Sequence, residues 1–162
     1  MATRFDTSSQ HTFLVADGQW EARGRGLVGP DARDAEIVGH TSIRTRGGGL
    51  ITVESVMTVQ GDLPFDVRQV YEVRRTILPE RFTFVQRNDR IGELEGEIWL
   101  LPDYVVLHYA SPKGRFRGSE MLIRRSPDRY TAVGHFVADK RAQTVWEVEL
   151  TRTASSPAID DF

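Results

Sequence analysis

Glu120 is the residue whose type and spacing bear most directly on chemistry. It alternates with Gly118 and Leu122 inside a strand-like run, Phe116 to Arg124. Side chains two apart in a strand share a face, so Glu120 is expected on the dry side. A carboxyl group facing an apolar enclosure has a raised pKa, and can act as an acid or orient a ligand. Two other readings stay open. Glu120 could pair with Arg124 or Gln69, or the strand could take the opposite phase, with Met121 and Ile123 inward. Gln69, Gln86, Thr41 and Ser55 also fall on dry faces, where each must find a partner. His108 alternates with Tyr104, Val106 and Ala110, while Val105, Leu107 and Tyr109 take the other side. Both faces are apolar, so its orientation is undecided. Glu120 and His108 are the two candidate acid–base groups.

Other chemistries are poorly supplied. The chain has no Cys, hence no disulfide, thiolate metal site or cysteine nucleophile. Its four His show no metal-ligand spacing, with His40 and His135 on wet faces and His11 near the N-terminus. No metal and no cofactor are expected. There is no Gly-X-Ser-X-Gly, and Gly47-Gly48-Gly49 lacks the Lys-Ser/Thr and helix of a phosphate loop. Arg74-Arg75, Arg124-Arg125 and Arg115 with Arg117 are interleaved with acids and read as solvated strand edges. A net charge of −2 gives no field for steering toward nucleic acid or an anionic membrane. Met1 to Gln10 do not read as a signal peptide. No apolar run approaches the roughly 20 residues that span a bilayer. The expected location is cytoplasmic, without membrane insertion.

The elements that must position these residues are strands. Gly18 to Val28 puts Gly18, Trp20, Ala22, Gly24, Gly26 and Val28 on one face, with mostly polar residues opposite. A large ring among glycines, which strands otherwise disfavour, suits the closed end of a small barrel. Further strands are expected over Ala35 to Thr45, Leu50 to Gln60, Asp66 to Thr76, Phe82 to Gln86 and Ile91 to Leu101. Four more follow, over Tyr104 to Ala110, Phe116 to Arg124, Tyr130 to Val137 and Thr144 to Arg152. Six of the seven prolines lie between these runs and none inside one. No window has the apolar spacing of a long helix. The expected fold is all-β, a single antiparallel up-and-down barrel of about ten strands. A two-sheet sandwich has the same periodicity and stays open as the alternative. Residues 1–17 form an N-terminal segment with a short helical turn at Phe13-Leu14-Val15-Ala16, 18–152 the barrel, and 153–162 a flexible tail.

Gly18-Gln19-Trp20 resembles the Gly-X-Trp that opens the first strand of calycins, the group of lipocalins, fatty-acid-binding proteins and nitrobindin-like barrels. Asp103-Tyr104 resembles the lipocalin Thr-Asp-Tyr turn, with Pro102 in place of Thr. The resemblance implies a structural arginine over the first-strand Trp, a role for Arg152, with Arg124 and Arg125 as rivals. Ten strands and no late helical pattern are closer to the nitrobindin-like relatives than to lipocalins. Those carry a haem-ligating His ahead of the last strand's Leu-X-Arg ending. Here Val145-Trp146-Glu147-Val148-Glu149-Leu150-Thr151-Arg152 has none.

With Trp20's face inward, the lumen is expected to hold Trp20, Met57, Tyr71, Phe84, Tyr130, Phe136 and Trp146 beside Gly24, Gly26, Gly39, Gly96 and Gly134. Gln69, Tyr109, Glu120 or His108 would be its polar anchors. Large residues among small ones mean either efficient filling or a cavity for one small ligand. The leading expectation is a protein binding a hydrophobic or amphipathic small molecule in its lumen. The alternative is an enzyme of isomerase or cyclase type, with acid–base chemistry from Glu120 or His108. A homodimer through one barrel wall is a third, structural reading.

Overall fold

The computed structural model describes residues 11–139 and 142–153, with side chains except at 142 and 143. Ten strands are present: β1 (Gly18–Val28), β2 (Arg33–Thr45), β3 (Leu50–Gln60), β4 (Phe65–Arg75), β5 (Arg81–Asn88), β6 (Gly92–Leu101), β7 (Tyr104–Ala110), β8 (Phe116–Ser126), β9 (Arg129–Ala138) and β10 (Ala142–Thr153). Each pairs antiparallel with its successor, and β10 returns to β1 to close a barrel. Closure leaves no sheet edge, which is why so long a meander does not stay open. The sandwich alternative is thereby excluded. The tail expected at 153–162 lies outside the described residues apart from Thr153, which is still in β10. Residues 1–10 of the N-terminal segment lie outside them too.

One local expectation is corrected. Phe13, Leu14 and Val15 make a turn and not a helix, with Leu14 at φ +74°. Among the described residues the single helical turn is of 3-10 type, at Gly47–Gly49 between β2 and β3. Buried Leu14 lies against the core in this turn, and a left-handed residue cannot continue a right-handed helix.

The barrel's two ends differ. At the end where β1 starts and β10 finishes, the N-terminal segment forms a plug. Trp20 meets Phe13 edge-on at 5.3 Å and Tyr130 at 5.6 Å. His11 Nε2–H donates to the Leu101 carbonyl at 2.6 Å, and its Nδ1 is 2.9 Å from the Tyr130 hydroxyl. A carbonyl can only accept, so Nε2 carries a proton, and the Tyr130 hydroxyl is the partner of Nδ1. Thr12 N–H donates to the same hydroxyl at 3.2 Å, and Thr12 Oγ1 to the Pro127 carbonyl at 2.5 Å. Beneath the plug, Ile43, Ile51, Val73, Phe82, Leu100, Val105, Leu122 and Leu150 complete a buried core. Arg152 stands opposite Trp20 across the β1–β10 closure and donates to the Asp17 carbonyl at 3.0 Å.

The inward glycines are sites of close approach. A Cβ on Gly24 would lie 2.1 Å from the Glu147 carbonyl oxygen and 2.6 Å from Val148 Cα, both backbone atoms of β10. Gly24→Ala is expected to lower stability by about 1–3 kcal/mol. Gly61→Ala, in a turn with nothing within 4 Å, is expected to stay within about 0.5 kcal/mol. Urea unfolding of the two variants checks the contrast. Tyr130→Phe leaves the Thr12 amide and His11 Nδ1 without their partner. It is expected to lower stability by about 1–3 kcal/mol, with earlier amide exchange in the plug than in β3–β6.

Candidate functional site

Alternation carries the phase of every strand into the lumen. In β8 the inward residues are Phe116, Gly118, Glu120 and Leu122, with Met121 exposed. The opposite phase is therefore excluded. In β7 the inward set is Val105, Leu107 and Tyr109, which leaves His108 outside.

Large and absent side chains alternate along each rung. Gly134 of β9 stands between Glu120 of β8 and Trp146 of β10. With no side chain between them, the Trp146 indole N–H reaches Glu120 Oε2 at 2.6 Å. A Cβ on Gly134 would sit 2.4 Å from Trp146 Cζ2. One rung nearer the far end, Gly96 separates Phe84 from Tyr109, and Gly118 separates Tyr109 from Phe136. A Cβ on Gly118 would fall 2.6 Å from the Tyr109 hydroxyl. Tyr71 tilts against Phe84 at 5.5 Å, and Phe136 stacks on Phe116 at 5.8 Å.

The half of the barrel interior away from the plug is less completely buried. Met57, Gln69, Tyr71, Tyr109, Phe116, Glu120, Phe136 and Trp146 point inward, yet each keeps some accessible surface. Inward-pointing residues beneath the plug keep almost none, Trp20 at 1% and Tyr130 at 0%. These residues lie toward the end bearing the β1–β2, β3–β4, β5–β6 and β7–β8 turns. Of the expected ligand contacts, Met57, Gln69, Tyr71, Phe84, Tyr109, Glu120, Phe136 and Trp146 come together there. Trp20 and Tyr130 lie apart from them as core beneath the plug.

Burial pushes the Glu120 carboxyl above its ordinary pKa, and the Trp146 hydrogen bond opposes this only in part. Its partner is thus Trp146, and neither Arg124 nor Gln69. Burial, with Glu120 beside it, also raises the Tyr109 phenol; burial, with Glu120 and Tyr109, raises Tyr71 strongly. Tyr71 is a neutral donor and gives its proton to Gln69 Oε1 at 3.1 Å. Thr41 and Ser55 satisfy one another at 3.2 Å. Gln86 is 2% exposed, and its buried Oε1 has no hydrogen-bond partner.

His108 does not belong to this group. It lies on the outer wall, with Nε2 at 3.9 Å from Glu97, which also pairs with Arg81. Two shallow depressions mark that wall. One, of about 730 Å³, is lined by Glu72, Glu95, His108, Ser119 and His135. The other, of about 600 Å³, runs past Leu27, Met121, Val133 and Val145. Neither is an enclosed cavity. Sequence reasoning did not assign Phe116 to the lumen or see that Gln86 would lack a donor. Phe116 shares the two-residue alternation of Gly118 and Glu120, a signal that was there to be read.

No known protein-family pattern matches the sequence, and no curated protein matches it significantly. Solved structures do match in shape. The S-type phycobiliprotein lyase CPES of Guillardia theta superposes with a TM-score of 0.65 at 12% identity, over 94% of this chain and 100% of that one. Rv2717c of M. tuberculosis gives 0.63 at 16% identity, over 85% of this chain and 92% of its own. The protein EF1p2_mFAP2b, bound to DFHBI, gives 0.52 at 14% identity, over 91% and 100%. At such identities the likeness is one of fold, and by fold this chain is a closed antiparallel barrel of ten strands.

Proposed function

We propose that the barrel binds a small apolar or amphipathic molecule, taken into the lumen through the end opposite the plug. One observation carries this reading: inward-facing rings and a buried acid in that half keep accessible surface, while the plugged half is packed solid. Concave, ring-lined spaces with few polar groups are what small-molecule sites look like. The comparison barrel bound to DFHBI supports the reading, since a similar fold there accommodates a small molecule. A second reading, isomerase- or cyclase-type chemistry, retains Glu120 as its acid, with Tyr109 beside it. It loses His108, which the wall separates from the lumen.

Two outcomes follow. Titration with a neutral apolar probe, Nile red or retinol, is expected to change tryptophan emission. Trp146→Phe should abolish most of that change, while Trp99→Phe, stacked under Arg81 on the outer wall, should preserve it. Emission insensitive to every probe would remove the lumen reading. The second outcome concerns pH. A carboxyl whose folded pKa lies above its ordinary value near 4.5 stabilises the fold only while protonated. As pH rises the unfolded chain ionises first, so stability is lost up to the folded pKa and is not regained above it. Glu120→Gln should therefore be more stable than the parent at about pH 7.5, with the difference closing near pH 4. Urea midpoints at both pH values test this, and a pH-independent difference would contradict it.

A further inference from the structure

We propose that the ligand of this lumen is a cation: a flat or ring-bearing apolar molecule with a protonated amine, seated with its N–H groups on Glu120. The inference rests on the lumen-binding reading and adds the ligand's charge.

Three observations converge on it. Glu120 is the one charged residue pointing into the open half of the barrel below its rim, among the described residues. The inward arginines, Arg124 and Arg152, lie at the other end, opposite Tyr130 and Trp20. A ligand carboxylate would thus meet a carboxylate with no cation beside it. Second, the unmet hydrogen-bonding capacity is accepting. Only one Glu120 oxygen is occupied, by Trp146. The other has no hydrogen-bond partner among the described residues. Gln86 Oε1 is sealed in without a donor, on the strand next to Tyr71. Tyr71 itself lies near enough to Glu120 to feel its charge. A buried acceptor without a donor is rare in proteins and calls for one. Third, the acid is bonded to the Trp146 indole, and Tyr71, Tyr109 and, against Tyr71, Phe84 lie in the same part of the barrel. Aromatic faces attract cations, most strongly where water is excluded. An ammonium with three N–H groups can serve Glu120 and a neighbouring acceptor together and lie against a ring.

Three probes that share one aromatic body decide the matter: 1-naphthylmethylamine, 1-naphthylmethanol and 1-naphthoate. Isothermal titration at neutral pH should rank the amine at least about tenfold tighter than the alcohol, as a charge-assisted hydrogen bond implies, with the acid weakest. Glu120→Gln keeps an oxygen for Trp146 but carries no charge. It should erase the amine's advantage over the alcohol. Gln86→Leu should weaken the amine by a smaller factor. Equal binding of all three probes, or preference for the acid, would overturn the proposal while leaving lumen binding intact. Entry of Nile red with none of the three bound would overturn it in the same way. Failure of Nile red as well would remove both.

Discussion

A closed ring of ten strands has a limited width, so each large side chain turned inward needs bare backbone beside it. That constraint runs through the barrel. Gly134 admits Trp146, Gly118 and Gly96 admit Tyr109, and Gly39 admits Met57. Glycine weakens an isolated strand, and the fold accepts that weakness because closure supplies ladder bonds on both sides of every strand. The same spacing creates the polar contact of the site. Glu120 and Trp146 sit on strands that do not touch, and they meet only because the residue between them has no side chain.

The two ends divide stability from function. Under the plug, rings and aliphatic chains interlock, and the N-terminal segment is bonded to the β6–β7 and β8–β9 connections through Leu101, Pro127 and Tyr130. Toward the other end the rungs hold rings, an acid and amides that keep more accessible surface. A carboxyl held in such surroundings lowers stability when ionised, and a fold tolerates that where the group serves something other than packing. The solid half supplies the stability that lets the open half remain unfilled.

Much of this was legible in the sequence. Period-two alternation with proline and glycine punctuation gave the strand count and the inward phase of β1 through β6, because each strand there has one plainly apolar face; closure into a barrel over a sandwich it left open. It left β7 undecided, since Val106 and His108 alternate with residues equally apolar on the other side. It also left the partner of Glu120 open. Trp146 lies 26 residues away, and their meeting depends on the register of two successive hairpins and on Gly134 between them. The division of the lumen was hidden for a related reason. Trp20 and Tyr71 share a face pattern, but only the packing of Phe13 and Leu14 shows that one ring is roofed over and the other is not. The apolar quartet of 13–16 was visible as an anchor; its turn geometry was not.

The plug also sets a direction of travel. With one mouth sealed by side chains fastened to two different connections, whatever enters must leave by the door it came through. On that side Glu120 lies deeper in β8 than the stacked pair Phe116 and Phe136, which stands nearer the threshold. On the reading proposed above, a guest would pass the rings before it met the acid.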